Sequence, residues 1–402
     1  MTRIYLGDTH LAVVAVTVQS ILQAAYPAYA RQHPVAGHKR RAVRDMLLCG
    51  TGDLGVYIRR CPQGHFAEAS GCSCRMRACP SCSGRRRMQW LDLWNQRLLP
   101  GLHLHTILTL PSQFHPLWRH NRRAMANLFF AVARQTLLTL AADPEHLGAL
   151  PGILMVLHTW SRSLSLHPHL HLLVTGGGRG PDGHWLRLKR DFLVPVGVLR
   201  KVFRRLFLAA VETAYKDGRI ALPPDWTEAI LERHLRQLKR IKWNVCIKPP
   251  YKHGQGVVNY LGRYVMGGPI GQTRLRAFDG ENVEFVVGRE AKDPLTLRLP
   301  VEEFLRRWIE HIPESRLHTV RAYGLYASGG SARRESCRAE ILASMPQRSA
   351  ATPDRPESSP PRIECCPVCN ATLVVEELRV RARRRHQPPV RAPATEPGRE
   401  AA

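Results

Sequence analysis

Apolar and polar positions follow two rhythms along this chain. Helical spacing runs over residues 10–48, interrupted by the basic run His38-Lys39-Arg40-Arg41, and returns over 88–99 through Trp90, Leu91, Leu93, Trp94 and Leu98. Further helices are expected at 116–142, carried by Leu117, Met125, Leu128, Phe129 and Leu137, and at 197–215, 226–240 and 301–310. Between them lie short apolar runs bounded by turn formers: Leu102–Leu110 stopped by Pro111, Ile153–His158, His169–Val174, Lys242–Ile247 closed by Pro249-Pro250, then 281–287 and 295–299. Gly176-Gly177-Gly178 and Pro181-Asp182-Gly183 read as a turn region before His184-Trp185-Leu186. Val257–Val265 can begin a helix. Strands interleaved with helices imply an α+β domain over about 100–325 with a mostly antiparallel sheet.

Composition changes the picture at two places. From Cys49 to about Arg87 the chain is rich in Cys, Gly and Arg and loses hydrophobic periodicity, which fits a compact metal-held module. After Ser328 it shifts to Ser, Pro, Arg and Glu, and residues 345–362 and 386–402 are expected to be disordered. The expected order is therefore a helical and zinc-binding module at 1–97, an α+β domain at 98–328, and a basic, largely disordered tail at 329–402. The tail carries one Cys-rich knuckle, Cys366-Pro367-Val368-Cys369, whose completion needs Cys337, Cys365 or another chain.

Charge then narrows the partners. The 402 residues hold 59 Lys and Arg against 32 Asp and Glu, a net +27, while a 44% hydrophobic share leaves enough for a core. Such an excess calls for a polyanion, nucleic acid first. A membrane surface is the weaker choice, because the basic residues spread over the whole chain rather than along one amphipathic helix. Leu128–Ala142 is broken by Arg134 and Gln135 and is not expected to span a bilayer. Leu11–Val18 followed by Ala28-Tyr29-Ala30 resembles a leader only loosely, since Arg3 is offset by Asp8. An amphipathic helix and a cytoplasmic, nucleoid-associated protein are expected.

Three groups carry chemistry. Five of the eleven cysteines lie between Cys61 and Cys82. Zinc takes four soft or borderline donors, and Cys61, His65 or Cys74, Cys79 and Cys82 make a plausible set. The arginines beside them, Arg75, Arg77, Arg85, Arg86 and Arg87, suit phosphate contacts. In His167-Pro168-His169-Leu170-His171, a strand would turn His169 and His171 to one face, able to hold a divalent cation, with His158 a candidate third ligand. In Tyr260-Leu261-Gly262-Arg263-Tyr264, a helix would stack the two phenols on one face.

The coupling of these motifs resembles the HUH single-strand nucleases, and in detail the insertion-sequence-91-type rolling-circle transposases. The resemblance rests on Cys49, Cys61 and Cys74–Cys82, Thr106–Pro111, His158-Thr159-Trp160, His167–His171, Gly176–Gly178, Tyr260–Tyr264 and Arg321–Leu325, and spans about 35–328. It implies an HUH-type antiparallel sheet flanked by helices. It implies structural Zn2+ at the cysteines and catalytic Mg2+ or Mn2+ at His169 and His171. Tyr260 or Tyr264 is the implied nucleophile, giving a 5′-phosphotyrosine on single-stranded DNA, with Arg263 near the backbone and element-end DNA as partner. That family has a second cysteine soon after the position of Cys61; here Gln63-Gly64-His65 stands there. A plasmid relaxase or replication initiator, or a non-enzymatic zinc-dependent nucleic-acid-binding regulator, are the alternatives.

Overall fold

The computed structural model describes residues 16–189, 193–251, 256, 258–259, 262, 268–288, 295–345 and 365–378. In chain order its main elements are α1 (Val18–Gln32), α2 (Gly37–Leu47), β1 (Val56–Arg60), β2 (Ala67–Gly71), α3 (Ser83–Arg97), β3 (His103–Thr109), α4 (His115–His120), α5 (Arg122–Ala142), β4 (Leu150–Trp160), β5 (Leu166–Arg179) and β6 (Trp185–Arg187). They continue with α6 (Val196–Lys216), α7 (Glu228–Arg240), β7 (Val245–Ile247), β8 (Leu275–Phe278), β9 (Asn282–Val286), β10 (Thr296–Pro300), α8 (Val301–Glu310), β11 (Val320–Gly324), α9 (Ser331–Ala343) and β12 (Val374–Leu378).

The chain divides into two compact units, neither continuous in sequence. Among the described residues, one comprises 48–73 with 365–378, and the other 16–47 with 74–345. The stretch expected as a first module, 1–97, contributes to both. The expected helices and strands between 100 and 325 are present where described, and the fold is α+β with antiparallel sheets. Residues 346–364 and 379–402 of the tail lie outside the described residues.

In the larger unit the central sheet runs β11-β4-β5-β3-β7, with β6 beside the far end of β5, and every pairing is antiparallel. Successive side chains on a strand point to opposite faces. Leu170, Leu172 and Val174 of β5, with Met155 and Leu157 of β4, therefore face one way and are buried against Phe129 and Phe130 of α5 and Phe203 and Phe207 of α6. The other face carries Leu173, Leu154 and Val156, packed against Trp90 and Trp94 of α3 and Cys337 and Ile341 of α9. The imidazoles of β5 lie on this second face.

Two expectations are corrected. The basic run at 38–41 does not interrupt a helix but lies inside α2, which buries Ala42, Val43 and Met46. The break comes at His33–Ala36, where Pro34 disfavours helical backbone in the preceding residue. Gly176–Gly178 form no turn but continue β5, because neighbours press too close for a side chain. A Cβ on Gly177 would lie 2.4 Å from the Trp185 ring and one on Gly176 2.6 Å from Leu102 Cβ. The turn comes at Gly180–Gly183, where the expected Pro181-Asp182-Gly183 lies. Helix α5 is long and apolar enough to cross a membrane, despite Arg134 and Gln135, yet its apolar side chains fill the core.

Candidate functional site

Antiparallel register brings three imidazoles together. His158 on β4 stands directly opposite His169 on β5, and His171 lies two residues further along the same face of β5. Ring centroids are 4.5 Å apart for His158 and His171, 5.0 Å for His169 and His171, and 5.2 Å for His158 and His169. One nitrogen from each lies within 4.8 Å of the others, close enough to hold one metal ion.

The rings are fixed from behind. His169 Nδ1 lies 2.7 Å from the His167 carbonyl, which can only accept, so Nδ1 carries the proton and Nε2 keeps its lone pair. His171 Nδ1 is 3.0 Å from Nε2 of His105, on the adjacent strand β3. When His171 donates in that bond, its Nε2 is the ligating nitrogen. Burial drives all of these rings toward the neutral form that binds metals. It pushes His169 and His105 down to about 4 and holds His158 and His171 well below the ordinary imidazole value. His105 had no distinguishing signal in sequence; its part depends on β3 pairing with β5.

The imidazoles open onto a cleft lined also by Thr109, Trp160, Arg162, Asn244 and Arg274. Arg162 donates to the carbonyls of Val287 and Gly288. Arg274 donates to the carbonyl of Val286 at 2.8 Å and to that of Arg162. These bonds hold the guanidinium groups in place without cancelling their charge. Arg77 approaches closely enough to disfavour the His158 imidazolium, and burial lowers its own value to about 10. Among the described residues neither Arg77 nor Arg162 is seen in an ion pair with a carboxylate. Such a pocket of fixed positive charge suits an anion.

The five residues expected to bind zinc fall into two clusters. Cys74, Cys79 and Cys82 gather at the start of α3, with the sulfurs of Cys74 and Cys82 3.7 Å apart. Hydrogen bonds from Cys74 and Cys82 pull the Cys79 thiol far down, while the same contacts hold Cys74 up, as expected when close sulfurs share protons. Cys61 and His65 instead meet Cys366 and Cys369. Cys337 is buried in the larger unit beside Ile341 and is not among them. Of the expected phosphate-binding arginines, Arg75 is exposed with a positive φ of 56°, and its carbonyl accepts from Arg86. Arg86 and Arg87 are partly exposed on α3. Tyr260, Tyr264 and Arg263 lie outside the described residues, as does the side chain of Arg85.

Known proteins match this chain over most of its length. Residues 152–335 match the family described as "Putative transposase", and residues 21–110 the one described as "Transposase zinc-binding domain". "Putative transposase y4qJ" of Sinorhizobium fredii (strain NBRC 101917 / NGR234) is 36% identical over 306 residues, which are 74% of this chain and 77% of that protein. "Transposase for insertion sequence element IS801" of Pseudomonas savastanoi pv. phaseolicola is 30% identical over 298 residues, 71% of this chain and 70% of its own. Among solved structures, the conjugative relaxase TrwC in complex with oriT DNA, in a metal-bound form, covers 63% of this chain and 96% of its own at 11% identity and a TM-score of 0.24. By its matched domains and its two long alignments, the chain belongs to the insertion-sequence-91-type transposases.

Proposed function

We propose that this transposase cuts and rejoins single-stranded DNA at element ends, in rolling-circle transposition, through a 5′-phosphotyrosine on Tyr260 or Tyr264. The observation that carries this reading is the convergence of His158, His169 and His171 on one sheet face beside fixed arginines. The donors fit a divalent cation, because buried neutral imidazoles present lone pairs rather than protons. The set is nitrogen only, so a hard cation would complete its shell with water and phosphate oxygen. Bound there, Mg2+ or Mn2+ supplies Lewis acidity toward a non-bridging oxygen of the scissile phosphate.

The chain's own residues do the rest. His105 and the His167 carbonyl hold the ligating rings in orientation. Arg162 and Arg274, which line the cleft, would place positive charge beside the phosphate oxygens as they gather charge in the transition state, with Arg77 adding its charge near His158. A tyrosine oxygen attacks phosphorus in line. The O–P bond to the phenol forms as the bond to the 3′-oxygen breaks, and the proton lost by the phenol is balanced by the one gained at the 3′-hydroxyl. The phosphodiester is conserved in the new link, so attack by a 3′-hydroxyl rejoins strands without ATP. Two tyrosines allow two cleavages before exchange. Cys74, Cys79 and Cys82 contribute thiolates to a structural zinc, and the basic face of α3, with Arg86 and Arg87, grips the backbone of DNA. The protein works in the cytoplasm, at the nucleoid.

The test is an adduct assay with manganese and a single-stranded oligonucleotide carrying the element's end. Wild type should yield a covalent protein–DNA species on denaturing gels, and the Tyr260→Phe/Tyr264→Phe double variant none. An undiminished adduct in the double variant would remove the tyrosines from the mechanism.

A further inference from the structure

The smaller unit has little to hold it together by packing. Its sheet runs β12-β1-β2, pairing a C-terminal strand with an N-terminal hairpin, with Val56 opposite Leu378 and Arg60 opposite Val374. Among the described residues none of its strands has a fully buried residue, and Val374, Val375 and Leu378 of β12 are 47%, 59% and 54% exposed. Its buried cluster is Cys61, Cys366 and Leu373, with Phe66 and Cys369 against them. An assembly this small cannot reach stability by apolar burial alone and needs a staple.

The cluster has the form of that staple. Two knuckles face each other, Cys61-Pro62-Gln63-Gly64-His65 and Cys366-Pro367-Val368-Cys369-Asn370. In each, a backbone N–H two residues on points at the leading sulfur, Gln63 N to Cys61 Sγ and Val368 N to Cys366 Sγ, both at 3.4 Å. Each also turns through a positive φ, 77° at Gly64 and 56° at Asn370. Cys61 Sγ lies 3.4 Å from Cys369 Sγ and 3.9 Å from His65 Nδ1. Thiolates around zinc at about 2.3 Å stand roughly 3.8 Å apart, whereas disulfide sulfurs stand at about 2.05 Å. The first knuckle lacks a second cysteine, and its imidazole, one residue further along, reaches the same point.

We infer that Cys61, His65, Cys366 and Cys369 form a tetrahedral zinc site, distinct from the Cys74, Cys79 and Cys82 cluster, that clasps the C-terminal knuckle to the β1–β2 hairpin. Three sulfurs and one imidazole nitrogen are a donor set for structural zinc, not for a hard cation. Two of its four ligands lie beyond residue 335, outside both matched families. The clasp joins residues 308 apart in sequence, so the tail is a working part of the N-terminal hairpin's fold. This is independent of the catalytic reading: it survives if the tyrosines prove inert.

The test is metal content of the full chain, purified without chelator, by mass spectrometry of the metals. Cys366→Ser/Cys369→Ser should lose one zinc per chain relative to wild type. An unchanged zinc content would overturn the inference. A second measurement uses the wild-type chain alone, so no variant need fold. Cys61, Cys366 and Cys369 should resist alkylation together and become reactive together on chelation. Equal reactivity of Cys366 and Cys369 with and without chelator, or a Cys61–Cys369 disulfide in the purified chain, would also overturn it. With cobalt in place of zinc, His65→Cys should keep the stoichiometry and shift the visible bands toward an all-sulfur site; unmoved bands would strike His65 from the ligand set.

Discussion

The two units hold their donor clusters in opposite ways. The three imidazoles of the larger unit sit on strands whose reverse face is packed solid: Leu170 and Leu172 are fully buried and Val174 is 1% exposed. That sheet has a core on either side and presents a preformed site. The cysteines and histidine of the smaller unit sit on turns beside strands with no buried face. There the ligands make up most of the core. On the proposed reading, a metal would join a finished scaffold in one unit and complete an unfinished one in the other.

Chelation should separate the two most sharply. A structural zinc contributes roughly 10 kcal/mol or more of folding free energy, so its removal should abolish amide-exchange protection in β1, β2 and β12 while β4 and β5 keep theirs. Retained protection in β1 after complete metal removal would erase the contrast. Core truncation should give the reverse pattern. Leu172→Ala should destabilise the larger unit by about 2–5 kcal/mol in denaturant melts, whereas Val375→Ala should change stability by less than about 0.5 kcal/mol. A smaller effect sharpens the account of the preformed site. His105→Ala removes the buried group braced against His171 and should weaken divalent-cation binding roughly 10–100-fold, with a loss of stability smaller than that of Leu172→Ala. His105→Gln, which keeps a hydrogen-bonding group, should recover part of that loss.

Much of the larger unit was legible because strong periodicity and sharp stops specify its elements. The run from His103 to Thr109 is apolar and ends before Pro111, and it folds as β3. His169 and His171 share a face for the same period-two reason that buries Leu170 and Leu172 behind them. What sequence leaves open is which strand stands beside which. His158 and His169 are opposite only because β4 and β5 form a hairpin with a particular register, including an irregularity just after His158. The role of His105 hangs on a second such pairing. The smaller unit was harder still. Val374–Leu378 carries two glutamates in a polar, basic tail and gives no hydrophobic alternation. The tail's Cys-x-x-Cys knuckle was visible as a half site, but no local rule links it to a knuckle 308 residues earlier.

The central claim is that His158, His169 and His171 are one metal site on a prebuilt sheet. Manganese titration of the full chain, followed by electron paramagnetic resonance with a single-stranded oligonucleotide present, addresses it directly. One bound Mn2+ per chain is predicted for wild type and for Cys366→Ser/Cys369→Ser, and none at the same concentrations for His169→Ala. Wild-type binding by a folded His169→Ala chain would contradict the account.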